Sequence, residues 1–228
     1  MKYGQFCPIA KAAEIVGERW TLLIIRELLM GTTRFSDFQR TLSQISPTLL
    51  TKRLNLLVDQ GLAVRKAPQA GKRAEYHPTL ATKELGPVVI GLGEWGMRWA
   101  RGQMNDDELD IELLMHDLCR RMDPDKLPGG ETVIHFLFSG LEDFAQWWIV
   151  IGERKRELCV AHPGKDPDVR IATDPRTMVE VYAGDLPLQD ARRGGRLEVA
   201  GARLLERSVA EWLPLMAMAH VRPEAGKA

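Results

Sequence analysis

The sequence predicts an α+β fold in two parts, a helix-rich domain over residues 1–102 and a strand-rich domain over residues 103–228. Three observations carry this. Apolar residues in the first part recur at helical spacing, with one pair of short strand candidates. After "GQMNDDELD" (102–110), strand-sized apolar runs come consecutively and are then followed by helical ones, the order of an α+β layer rather than of alternating βαβ units. Charge divides at the same place: residues 1–102 hold about 15 basic and about 8 acidic side chains, roughly +7. The whole chain sums to zero, so the remainder carries roughly −7. A basic domain of this size points to a polyanionic partner.

Element by element, "CPIAKAAEIVGERWTLLIIREL" reads as two helices, with Pro8 in a first turn and Gly17 weakening the run before Trp20. Trp20, Leu23, Ile24 and Leu28 are expected to form one buried face. "MGTTRFSDFQRTL" breaks at Gly31 and restarts as a short helix with Ser36 or Asp37 near its start. "ISPTLLTKRLNLLVDQGL" is the next helix, and Gly61 is its C-cap. "LAVRK" and "AEYHP" are strand candidates around the basic loop "APQAGKR". A glycine- and tryptophan-rich helix restarting at Pro87 closes the domain. Four helices, a basic hairpin and a helix make the order of a winged helix-turn-helix.

The second domain opens on the helix "DELDIELLMHDLCRRM" and a turn at "DPDKLPGG". Strand candidates follow at "TVIHFLFS", "AQWWIVI", "RELCVA" and "DVRIAT". Then come helical "PRTMVEVYAG" and "PLQDARRG", a strand "LEVAG", and a closing helix "ARLLERSVAEWLPLMAM".

The helix after Ile45 carries the chemistry. Ser46 occupies the N-cap and Pro47 the first helical position. Leu50, Leu54, Leu57 and Val58 fall on one side; Thr48, Thr51, Lys52 and Asn55 fall on the other. A recognition helix needs this division, since hydroxyls and amides match the mixed donors and acceptors of the major groove. Lys52 suits a phosphate. An ordinary amphipathic surface helix has the same look, but Arg65, Lys66, Lys72 and Arg73 bracket the next turn with the cations that phosphate neutralisation requires. Both features in this order favour double-stranded DNA.

These residues resemble the HxlR-type winged helix-turn-helix regulators. The marks are Cys7-Pro8, "GERWTLLIIREL", "RFSDFQRTL" and "ISPTLLTKRLNLLVDQGL", over about residues 5 to 100. The resemblance implies a cytoplasmic transcription regulator, a homodimer built from terminal helices. Thr82 departs from the pattern, the family usually having glycine there. Some relatives use a cysteine at the place of Cys7 to sense oxidants or electrophiles, which makes Cys7 a redox candidate. Sensing requires a lowered thiol pKa, for which Lys11 one turn away is the local cation. A small thiol packing the N-terminal arm is the plainer reading.

The acidic half resembles the sterol-carrier-protein-like fold over about residues 130 to 214. Its marks are the "DPDVRIATD" strand, the "LPLQDARRGGRLEVAG" turn and the closing helix. That resemblance implies a sheet and helices enclosing an apolar tunnel. Trp147, Trp148, Met178, Tyr182, Trp212 and Met216 are the wall candidates for a small apolar ligand, although any one of them is more simply core.

Other classes find little support. The stretch after Met1 lacks an apolar core and a cleavage site, so no signal peptide is expected. The longest strongly apolar runs are strand-sized, so no membrane association is expected. Cys7, Cys119 and Cys159 are odd in number and widely spaced, which excludes a zinc ribbon and fits a reduced compartment. "NDDELDIE" lacks the calcium-loop pattern, and no metal or cofactor is expected. With no GxSxG, HExxH or Walker loop, the chain is not expected to be an enzyme. The expectation is a dimeric, DNA-binding regulator responding to a small apolar ligand. Its rival is a carrier of a lipid-like molecule whose basic domain serves mainly for dimerisation.

Overall fold

The computed structural model describes residues 2–66, 73–101, 108–153 and 155–224. It divides into two compact units, Met1–Gly93 and Glu94–Ala228. The division falls inside a helix, whereas the sequence places the boundary after it, at residue 102.

The first unit contains α1 (Pro8–Val16), α2 (Thr21–Leu29), α3 (Phe35–Thr41), α4 (Pro47–Asp59), the hairpin β1 (Ala63–Lys66) and β2 (Glu75–Pro78), α5 (Leu80–Glu84) and the start of α6 (Gly86–Trp99). Pro8 opens α1 because its missing N–H would have no helical acceptor there. Trp20, just before α2, adopts a left-handed backbone (φ 77°), with the Arg19 guanidinium 5.4 Å from its ring centre. The buried stripe of α2 is Thr21, Ile24, Ile25 and Leu28, with Glu27 buried beside it. This corrects the expected face: Leu23 is 40% exposed and Ile25 is fully buried, because the stripe follows i, i+3, i+4, i+7 from Thr21.

On α4, Leu50, Leu54 and Leu57 are wholly withdrawn from solvent and join Phe38, Ile24 and Tyr76 in one core. Each buried leucine contributes about 1.5–3 kcal/mol. The Ser46 hydroxyl accepts from the Leu49 N–H at 3.3 Å. At the other end Gly61 takes a left-handed φ of 69°, its N–H donates to Val58 O, and the Leu62 N–H reaches back to Leu57 O at 2.8 Å. This is a Schellman stop, which a residue with a Cβ enters only under strain. β1 and β2 pair antiparallel, Ala63 opposite Pro78, and Arg34 bridges to Glu75 at the hairpin's flank.

The second unit contains the end of α6, α7 (Ile111–Arg121), a 3-10 turn at Pro124–Lys126, β3 (Thr132–Phe138), β4 (Gln146–Gly152), β5 (Lys155–Cys159), β6 (Val169–Thr173), α8 (Pro175–Ala183), α9 (Leu188–Arg193), β7 (Leu197–Gly201), α10 (Arg203–Arg207) and α11 (Val209–Trp212). The strands form one sheet ordered β5-β4-β3-β6-β7, with only β3 and β6 parallel. Asp110 caps α7 through Leu113 N (2.9 Å), and Asp174 caps α8 through both Thr177 N and Thr177 Oγ1 (2.8 and 2.6 Å). The expected closing helix is two short ones instead. It breaks at Ser208 and stops at Leu213, which Pro214 holds in an extended conformation.

Alternation along the strands fixes the two faces. Ile134, Phe136, Trp147, Ile149 and Ile171 point to one side and pack with Leu118 of α7, Met178 of α8 and Trp212 of α11. On the opposite side lie Val133, Trp148 and Val150, with His135 stacked on Trp148 at 4.6 Å between ring centres. Asp168 ties three strands together: its carboxylate accepts from Val133 N (2.8 Å), its N–H donates to Val133 O, and its carbonyl accepts from Ala202 N (2.8 Å). The carbonyl leaves no room above Gly201.

Gly201→Ala tests that staple. Its φ is 152°, and a Cβ would fall on the Asp168 carbonyl and 2.7 Å from Val169 Cα. The substitution should cost about 2 kcal/mol or more in urea unfolding. An unchanged midpoint would show that the backbone there relaxes freely.

His135 gives a pH dependence. Its Nδ1 accepts from Arg170 Nε at 3.2 Å and its Nε2 faces Gln146 Oε1 at 3.2 Å, so the ring is neutral. Burial, and secondly the Arg170 charge, hold its pKa below the ordinary imidazole value. Above about pH 6.5 both folded and unfolded forms are neutral and the contribution is full. As pH falls below that, the unfolded chain takes the proton first, and stability drops until the folded pKa is reached. His135→Phe, keeping a ring on Trp148, should lose less stability than the parent between pH 7.5 and 5.5; equal losses would remove His135 as the cause.

Candidate nucleic-acid interface

The buried leucines of α4 decide which side of that helix meets solvent. Ser46, Pro47, Thr48, Thr51, Lys52 and Asn55 are all exposed, and the helical period gathers them on the side away from the core. The Thr51 hydroxyl donates to Pro47 O at 2.9 Å. Its proton is used within the helix, so Thr51 offers its oxygen lone pairs and its methyl outward.

Arg53 lies between two of these residues and does the opposite. It is 9% exposed, donates from Nε to Arg19 O at 3.0 Å, and pairs with the Glu18 carboxylate at 2.7 Å. The guanidinium holds the Glu18 carboxyl below the usual carboxylate range. Arg53 thus anchors α4 to the α1–α2 turn. The sequence reading missed this role, although the spacing held the signal: Arg53 is three residues after Leu50 and four before Leu57, on the leucine side.

The wing supplies cations beside this helix. Arg65 and Lys66 on β1 and Arg73 just before β2 are exposed. Lys72 and most of the "APQAGKR" loop lie outside the described residues. Glu75 stands between Arg34 (3.6 Å) and His77 (3.3 Å), tying the loop end of the hairpin to the residue that precedes α3.

In the second unit, Trp147, Met178, Tyr182 and Trp212 come together in the packed interior, with half-buried Met216 against them. Trp148 does not join them. Adjacent strand residues point to opposite faces, so Trp148 sits on the far side of the sheet beside His135 and His162. The polar ends of the gathered residues are satisfied internally. The Trp147 indole donates to Phe144 O (2.7 Å), the Trp212 indole to Leu205 O (2.9 Å), and the Tyr182 hydroxyl to Asp117. Burial, and then Asp117, push the Tyr182 phenol well above its ordinary pKa. Two surface clefts of about 380 and 330 Å³ lie elsewhere, around Pro124 and Glu153, and none of the six residues lines them.

Cys7 is the N-cap of α1, half-exposed and free. Lys11, one turn on, ion-pairs with Glu14 at 3.0 Å. Among the described residues, no helix is long and apolar enough to cross a membrane, and no group of three His, Cys, Asp or Glu side chains is placed to hold a metal ion.

Comparison with known proteins agrees with the two-part architecture. Residues 15–104 match the HxlR-like helix-turn-helix family, and residues 115–210 match the SCP-2 sterol transfer family. An uncharacterized HTH-type transcriptional regulator of Mycobacterium tuberculosis is 42% identical over 89 residues, 39% of this chain and 56% of that protein. The uncharacterized HTH-type transcriptional regulator YvaP of Bacillus subtilis is 34% identical over 101 residues, 43% of this chain and 94% of YvaP. Among solved structures, the redox regulator HypR in its oxidized form is 28% identical, covering 40% of this chain and 94% of HypR, at a TM-score of 0.37. The chain spans little more than half of the mycobacterial protein but nearly all of YvaP. It therefore belongs to the HxlR-like helix-turn-helix family and carries an SCP-2 sterol transfer family domain behind the helix-turn-helix.

Proposed function

We propose that this protein is a dimeric, cytoplasmic transcription regulator that binds double-stranded DNA through α4 and the wing, and that its C-terminal domain takes a small apolar ligand rather than catalysing a reaction. One observation carries the reading: three leucines of α4 are wholly buried, which leaves Thr48, Thr51, Lys52 and Asn55 clear on the other side. Base edges are read by such short polar side chains near a helix N-terminus, and phosphates are held by mobile cations flanking it. In this assignment Thr48, Thr51 and Asn55 meet bases, while Lys52, Lys72 and Arg73 meet backbone. The names of the relatives, HTH-type transcriptional regulators, support it.

Dimerisation is supported by the surface of α6. Val88, Ile90, Leu92, Trp95 and Trp99 are all at least 40% exposed, and Phe6 on the N-terminal arm and Ile9 in the first turn of α1 are more exposed still. A Cβ added at Gly86, Gly91 or Gly96 would meet nothing within 4 Å. Glycine inside a helix costs about 1 kcal/mol relative to alanine, and among the described residues no close neighbour accounts for Gly91 or Gly96. Close approach of a second copy does.

The ligand reading rests on the SCP-2 match and on the aromatic and methionine interior. Met216 packs against both that interior and the small cluster of Met97, Ala183 and Val221, so it joins the interior to the last turn of α6. The carrier reading predicts a lipid-like molecule in a solvent extract of the purified protein together with no specific DNA binding.

DNA binding is checked by gel shift on the gene's own upstream DNA with salt titration. Asn55→Ala should cost about 1–3 kcal/mol and relax preference at one base pair. Lys52→Ala and Arg73→Ala should weaken all sequences alike and flatten the salt slope by about 0.9 for each phosphate no longer neutralised. Altered sequence preference at unchanged salt slope in Arg73→Ala would reverse these roles.

Light scattering at micromolar concentration should show a dimer for the parent and a monomer for Trp95→Glu, since a charge at the centre of an apolar interface is left unpaired. A monomeric parent, with and without DNA, would remove the dimer from the proposal.

A further inference from the structure

The end of α4 is held by more than its own helix stop. Leu62, the residue that leads from α4 into the wing, has a carbonyl that accepts from three donors on the segment opening α5: Thr79 N (3.1 Å), Thr79 Oγ1 (3.2 Å) and Thr82 Oγ1. The Thr79 hydroxyl lies closer still to Gly61 O, at 2.8 Å. Thr82 is fully buried, so its hydroxyl has no water to bond instead.

We infer that Thr79 and Thr82 are positioning residues for DNA recognition, a clasp that sets the angle between the recognition helix α4 and the α5–α6 arm. This rests on the DNA-binding and dimer readings above. The Schellman bonds at Gly61 and Leu62 are local to α4 and fix nothing about its direction relative to α5. Backbone pairing of β1 with β2 brings Thr79 to Leu62, but the φ and ψ of Gly61 and Leu62 can still re-aim α4 against the hairpin. The two hydroxyls close that freedom from the side. From the clasp, α5 runs through Leu85 into α6, and Leu85 and Val89 pack on the same core as Leu54 and Leu57.

Leverage makes the angle matter. At 1.5 Å per residue, α4 is about 20 Å long, and its base-facing residues lie towards the end far from the clasp. A tilt of about 5° at the clasp displaces that end by about 1.7 Å, enough to break a base-edge hydrogen bond. In a dimer reading two half-sites, both helices must be in place together, so the error is felt most on the complete site.

The test begins by selecting duplexes from a random library with the parent protein. Affinity is then measured on the enriched duplex, on a single half-site, and on versions with one base pair added or removed between half-sites. Thr82→Val keeps the side-chain volume and loses the hydroxyl. It should weaken the complete site about fivefold, weaken the half-site less than about twofold, and flatten the spacing preference. Thr82→Ser, which restores the hydroxyl, should restore the spacing preference; Thr82→Ala replaces the valine variant if that one does not fold. Parallel losses on full and half sites that track the unfolding midpoint would mean the clasp is structural only, and so would wild-type behaviour of Thr82→Val. Failure of the parent to enrich any duplex would overturn the DNA reading itself, and the clasp with it.

Discussion

Complete burial of Leu50, Leu54 and Leu57 is the constraint on which the first unit depends. Three leucines at i, i+4 and i+7 can enter one core only if the helix presents one fixed face to it. The rest of α4 is then decided by geometry: the cap at Ser46, the stop at Gly61, and the polar residues facing out. Arg53 shows how strong the constraint is. A cation in the middle of a basic helix is drawn inward because its position is on the leucine side, and it is tolerated there because Glu18 and the Arg19 carbonyl satisfy it. The helix is therefore held from both ends and from behind, with only its polar side free to meet a partner.

In the second unit the equivalent constraint is strand parity. Once Phe136, Trp147 and Ile149 face the helices, Trp148 and His135 must face the other way, and Arg170 comes beside His135 because β6 runs parallel in register with β3. The outer face becomes a mixed row in which His135 accepts on Nδ1 from Arg170 and donates from Nε2 to Gln146 while stacking on Trp148. Asp168 sits where β3, β6 and the end of β7 meet, and supplies a donor and two acceptors to groups the ladders leave over. Gly201 follows from that crowding.

Most of the fold was legible because its signals are local. Ser46-Pro47 and Gly61 bounded α4, and the strand candidates of the second domain map onto β3 to β6 in order. What escaped depended on contacts between distant segments. Leu23 and Ile25 are both apolar neighbours on α2, and only packing against α3 to α5 selects Ile25 for the core. Trp147 and Trp148 were grouped by chemistry, although the strand reading already implied that only one could face inward. The apolar closing run contained its own stop at Pro214, which composition concealed. In the candidate site, the outward residues of α4 followed from periodicity alone. The Thr79–Thr82 clasp did not, since nothing in "HPTLATKEL" says that its hydroxyls end on a carbonyl some 20 residues earlier.

The interior of the second unit sets the terms for the proposed ligand. Trp147, Met178, Tyr182 and Trp212 are buried in one cluster with their polar ends engaged, so an apolar guest reaching them has to move side chains that are hydrogen-bonded in place. Side chains able to yield are the methionines, whose unbranched stems repack at low cost, and Met216 is already half-exposed at the edge. Displacement there is not neutral for the rest of the unit. The Met216 N–H donates to Tyr182 O, and its side chain rests against the cluster that holds Met97, while Arg101 pairs with Asp185 just past the end of α8. A guest that favours one packing of Met216 over another acts on α6 by the difference in its affinity for the two, typically about 1–3 kcal/mol. That amount is small against the stability of a folded domain.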